Sequence, residues 1–166
     1  MEKIFNRIVW FTGLVLIQVL IFNKICWLGV ATPFVYVYFL LGMDRDEPPC
    51  AQLLWAFMLG LCVDVFSNMW GINAAACVLL AFVRPWLIRM FVSHEEYENF
   101  EPSMAVMGKG AFIFYILLAV SIHHAVLFLL DAFSLVYIAH VLLRILGSVL
   151  FTCIFVVCID LIRHRQ

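Results

Sequence analysis

From Ala111 to Leu130 the chain runs without a single Asp, Glu, Lys or Arg. A run of that length sets a strong limit on the fold. About 20 mostly apolar residues carry a helix across the hydrocarbon core of a bilayer, and about 17 still suffice. Inside lipid no water is present to satisfy backbone N–H and C=O groups, so such a run takes up a structure that satisfies them internally. Comparable runs recur near 5–22, 25–41, 51–67, 74–92 and 135–162. Polar breaks separate them: Asn23-Lys24, the loop Met43-Asp-Arg-Asp-Glu-Pro-Pro49, the turn at 68–73, and Ser93-His-Glu-Glu-Tyr-Glu-Asn-Phe-Glu-Pro102. The expected architecture is all-α, a polytopic membrane protein with six transmembrane helices in one domain over residues 1–166. The run at 135–162 exceeds what a bilayer requires, so it is expected to tilt or to extend past the lipid.

Composition argues against a soluble bundle of the same helices. The chain has 166 residues, 66% of them hydrophobic and 13% charged. A soluble domain is nearer half apolar and a quarter charged, and a chain this short has no interior large enough to hide the excess. The net charge of -1 offers no basic field for nucleic acid. The six cysteines form no CxxC pair and have no metal-ligand spacing, so they read as small hydrophobes. Lys3 and Arg7 ahead of an apolar run resemble a signal peptide, but polar Asn23-Lys24 and a second apolar run follow. A retained first span is the expectation.

Basic residues set the expected orientation. With six spans the two ends share a side, and that side carries Lys3, Arg7, Arg45, Arg89, Lys109, Arg163 and Arg165, against Lys24 alone on the other. Both ends are therefore expected in the cytoplasm. Trp27 and Trp70 would then mark the outer interface, and Trp10 and Trp55 the inner one.

Polar residues within the runs are the candidate functional groups. A charge at the centre of a spanning helix costs at least about 2.5 kcal/mol, so such groups turn inward and find partners. Asp64 and Asn68 stand one turn apart on the third run, and Asn73 opens the fourth, where it is placed to cap. His124 and Asp131 share a face of the fifth run. His140, Arg144, Ser148 and Thr152 recur every four residues on the sixth. Arg84 and Arg144 fall near mid-membrane. Together Asp64, Asn68, Asn73, Arg84, His124, Asp131, His140 and Arg144 define an expected polar cluster, mostly in the outer half. Asp64 is left with three possible partners: Arg84, Arg144 or another protein. His123 and His124 are adjacent, so at most one is expected to face inward. Arg84 precedes Pro85, which breaks a helix hydrogen bond and offers a carbonyl for the guanidinium to cap. The acidic loop 95–101 reads as a solvated connector or a docking site. The sequence contains no nucleophile–base pair, phosphate loop or metal motif, so no enzyme activity and no cofactor are expected.

The segments Gly60-Leu-Cys-Val-Asp64-Val-Phe, Gly71-Ile-Asn73-Ala-Ala-Ala and Phe82-Val-Arg84-Pro85 resemble the MreD family of rod shape-determining proteins. Gln18-Val-Leu-Ile-Phe-Asn23 and Pro33-Phe-Val-Tyr-Val-Tyr fit the same pattern, so the resemblance covers nearly the whole chain. It implies a non-enzymatic component of the bacterial cell-elongation complex, multi-pass in the inner membrane. The implied direct partner is MreC, and the wider complex holds MreB filaments, RodA and its transpeptidase partner. The family is also similar to the substrate-binding subunits of energy-coupling-factor transporters. That likeness implies the alternative, a small-molecule binding or transport subunit with an outward-facing polar pocket.

Overall fold

A computed structural model of the chain describes residues 2–24, 31–45, 47–92, 101–132 and 138–163. Its helices are α1 (Glu2–Leu20), α2 (Val37–Leu41), α3 (Pro49–Ser67), α4 (Ile72–Phe91), α5 (Met104–Met107), α6 (Lys109–Ala132) and α7 (Ile138–Arg163), with a 3-10 turn at Phe22–Lys24. Among the described residues five stretches are long and apolar enough to cross a membrane: α1 with its 3-10 turn, α3, α4, α6 and α7. They match the runs near 5–22, 51–67, 74–92, 111–130 and 135–162, with described ends shifted by at most three residues. Residues 135–137 and most of the acidic loop, 93–100, lie outside the described residues.

The run near 25–41 departs from the expectation of a long helix. Residues 25–30 lie outside the described part, residues 31–36 are not helical, and α2 spans only Val37–Leu41. The physical cause is visible in the sequence of this stretch: Pro33 has no N–H to give a helix and biases the residue before it toward extended backbone. The stretch still passes from one end of the bundle to the other. Asn23, just beyond α1, bonds Ser67 at the end of α3, while Asp44 pairs with Arg7 near the start of α1.

Helix α4 is the central element, packed on α3 along one side and on α6 along the other. Helix α7 packs on α6, and α1 on α3. The non-helical stretch and α2 fill the middle, where Ala31 and 33–41 are all buried. Helices α1, α3, α6 and α7 show large apolar side chains on their outer faces, including Ile4, Phe5, Val65, Phe114 and Leu146. That surface is the one composition required to meet lipid.

Non-helical backbone in the middle of an apolar bundle is tolerated only where its polar groups are satisfied by protein. Here three side chains do this. Thr32 N–H donates to Ser148 Oγ (3.0 Å) and Phe34 N–H to Thr152 Oγ1 (3.0 Å). Val35 N–H donates to Gln18 Oε1 (2.8 Å), whose own Nε2 donates to Pro33 O (3.1 Å). Ser148 and Thr152 lie one turn apart on α7, about 6 Å along its axis. Two residues of extended chain cover nearly the same distance. The four-residue repeat on α7 is therefore a ladder of acceptors in register with an extended strand.

Candidate functional site

Helices α3 and α4 meet in a tight antiparallel hairpin. Asn68 ends α3 with a left-handed φ of 55°, and Gly71, with φ of 81°, starts α4. Asp64 lies under this turn and is 1% exposed. Its Oδ1 accepts from Asn73 N–H (3.0 Å) and from Asn73 Nδ2 (2.9 Å), and its Oδ2 accepts from Ala74 N–H (2.9 Å). Gly71, the residue before α4, provides no side-chain cap, so Asp64 caps α4 from the neighbouring helix. The approach needs Gly60, one turn earlier on the same face. A Cβ there would lie 2.4 Å from Ala74 Cα.

Neither arginine is the partner of Asp64. Arg84, 1% exposed, donates from Nη2 to Leu41 O (3.3 Å) and to Met43 O, and from Nη1 to Gln52 Oε1 (3.5 Å). Tyr115 Oη also donates to Leu41 O (3.2 Å). Arg84 therefore caps carbonyls at the end of α2, in place of the carbonyl freed in its own helix by Pro85. Arg144 pairs with Asp131 (3.0 Å), with its guanidinium 4.6 Å from the centre of the Phe128 ring.

Both histidines face inward, contrary to the expectation of at most one, because each is 0% exposed. The centre of the bundle has two sides to contact. His124 Nδ1 donates to Val120 O (2.9 Å), and its Nε2 meets Thr152 Oγ1 (3.1 Å). The Thr152 hydroxyl already accepts from Phe34 N–H, which leaves its own proton for His124. On the other side Tyr36 Oη donates to Asn73 Oδ1 (2.8 Å) and meets His123 Nε2 (3.2 Å). With its proton given to Asn73, Tyr36 is the acceptor, so Nε2 of His123 carries the hydrogen. Among the described residues His123 Nδ1 has no hydrogen-bond partner. A chain of contacts thus joins Asp64, Asn73, Tyr36 and His123.

Three expected members stand apart. Asn68 is exposed, its role being the left-handed turn, His140 is exposed on α7, and Arg84 lies toward the other end of α4, beside Leu41, Met43 and Gln52. Gln18, Tyr36, Gln52 and Tyr115 are members that residue type alone did not single out. Gln18 had a visible signal, a carboxamide inside an apolar run, while the two tyrosines look like ordinary core aromatics.

A cavity of about 410 Å³ opens between the ends of these helices, bordered by Lys24, Thr32, Ser67, Asn73, Asp131 and Arg144 among others. It holds both signs of charge and several neutral hydrogen-bonding groups. Among the described residues no group of three His, Cys, Asp or Glu side chains is arranged to hold a metal ion. Among the described residues, the fold and site define a helical protein with five membrane-length helices around a central, partly non-helical stretch held by polar side chains. Comparison with family models, curated proteins and solved structures gave no significant match.

Proposed function

We propose that this chain is a non-enzymatic scaffold of the MreD type, crossing the bacterial inner membrane six times with both ends in the cytoplasm. In this reading it binds MreC and, through it, links MreB filaments to RodA and its transpeptidase partner. In this reading the sixth crossing is made by the stretch after α1, whose described part, residues 31–44, is non-helical in part and packed among the other five. The orientation rests on the basic residues gathered at the end of the bundle that holds Arg7, Arg45 and Arg163. The observation that carries the scaffold reading is how the buried polar groups are used. Asp64 is engaged by three donors from α4, and Arg84 by carbonyls of the central stretch. Such groups fix one rigid arrangement, which suits a protein whose task is to present an outer surface to partner helices.

The cavity of about 410 Å³ favours a second reading, a subunit that binds a small polar molecule from outside. Its size is within the range of about 300–1,000 Å³ common for ligand sites. Purification of the full chain in mild detergent, followed by mass spectrometry of proteins and small molecules, separates the two. Co-purification of MreC is the expected result. A small molecule retained without MreC would overturn the scaffold reading.

A further inference from the structure

The cavity of about 410 Å³ between Asn73 and Arg144 has a hydrogen-bonding balance that selects among ligands. Among the described residues two cations line it, Lys24 and Arg144, against one carboxylate, Asp131. That leaves an excess of one positive charge. Arg144 donates from Nη1 to Asp131 Oδ2 (3.0 Å), and its guanidinium lies 4.6 Å from the centre of the Phe128 ring. A guanidinium carries five N–H donors in a fixed fork. Asp131 and Phe128 thus hold the fork in one orientation, and among the described residues it has no other hydrogen-bond partner. Lys24 forms no ion pair with a described residue. Ser67 Oγ accepts from Asn23 Nδ2 (2.7 Å), which leaves its own proton to give. Asn73, by contrast, is fully engaged by Tyr36, Asp64 and Met69. The free capacity of the cavity is therefore rich in donors and positive.

We propose that this cavity binds a small organic carboxylate with an apolar body. The proposal rests on the second reading above, that the cavity takes a small molecule, and adds the chemical class of that molecule. The single negative charge of a carboxylate matches the excess of the lining, whereas a phosphate monoester carries about two. The two carboxylate oxygens fit the planar fork of Arg144, and the Lys24 ammonium adds a point charge. Much of the remaining wall is apolar, from Phe34, Leu127 and Phe128, all of them buried, and from Phe66. Apolar surface covered there supplies affinity, and the charged end fixes orientation.

The test measures thermal unfolding of the full chain in detergent with phenylbutyrate and with its neutral isostere, phenylbutyramide. Hydrogen bonds to a charged group are the stronger kind, so the acid should bind about tenfold more tightly than the amide. Lys24→Gln removes the excess charge at an exposed position, so the variant should fold. Arg144→Gln/Asp131→Asn removes the fork and its partner together, which leaves neither charge unpaired. Each variant should reduce the advantage of the acid, and the triple variant should bind acid and amide alike. The ratio of acid to amide, taken within each variant, separates recognition from any change in stability of the fold. Equal binding of acid and amide by the wild type would overturn the carboxylate class and leave the small-molecule reading standing. Binding of neither at millimolar concentration would overturn both. An advantage of the acid that survives in the triple variant would put the binding elsewhere and overturn the site.

Discussion

Asp64 allows a prediction worked from counted hydrogen bonds. Replacing it with alanine strands three donors: the N–H groups of Asn73 and Ala74 and the Asn73 side-chain amide. All belong to buried residues, and each buried donor left unmet costs about 1–3 kcal/mol. The start of α4 also loses the favourable effect of a negative group near its dipole, about 0.3–1 kcal/mol. Asp64→Ala should therefore destabilise the fold by at least about 3 kcal/mol, a large share of the roughly 5–15 kcal/mol typical of folded proteins. Asp64→Asn keeps one carbonyl oxygen for the two Asn73 donors but turns an amide toward Ala74 N–H. Its cost should be about 1–3 kcal/mol plus the dipole contribution. Cys77 is 0% exposed on α4 and provides the assay. In a variant with Cys77 as sole cysteine, a thiol-reactive dye reports unfolding in detergent. The expected order of stability is wild type, then Asn, then Ala. If Asp64→Asn is as stable as the wild type, the oxygen facing Ala74 contributes nothing. If Asn and Ala are equally damaging, charge rather than hydrogen-bond count governs the site. Either result would refute the reasoning.

Two further substitutions probe the same framework. Gly60→Ala places a Cβ 2.4 Å from Ala74 Cα, against backbone that cannot rotate away. It should cost at least the 1–3 kcal/mol of ordinary overpacking, and an unchanged unfolding temperature would disprove the close approach. Thr152→Val removes the acceptor for Phe34 N–H and the donor to His124, so it should cost about 2–4 kcal/mol in the same assay, while Thr152→Ser should restore most of that. Equal loss in Val and Ser would show that the threonine methyl, not the hydroxyl, is what the core needs.

The long helices could be read from sequence because their cause is local. A largely apolar run as long as a bilayer is thick has few ways to satisfy its backbone, and α1, α3, α4, α6 and α7 follow from that rule. The polar residues within the runs were equally visible, since each carries an energy penalty wherever it lies in an apolar bundle. Asp64, Asn73, Arg84 and Arg144 were found on that ground alone. The left-handed turn of Asn68 and Gly71 also agrees with residue preference.

Which group meets which was decided by tertiary structure. Arg84 was one of three possible partners for Asp64, yet the two lie toward opposite ends of α4 and each caps backbone of another element. His123 and His124 are adjacent and both buried, because the stretch 31–43 gives α6 a second buried side. That stretch is the main thing hydropathy alone concealed. Its residues are as apolar as those of a helix, and hydropathy measures burial, not backbone shape. Pro33, Gln18, Ser148 and Thr152 were all present in the sequence, but 116 and 118 positions separate the ladder's partners on α7 from the backbone they hold. The sequence alone determined that this chain is a bundle of membrane-length helices with polar groups inside. Only the packed structure shows that those groups hold a non-helical segment at its centre, because hydrogen bonding at short range depends on where distant residues come together.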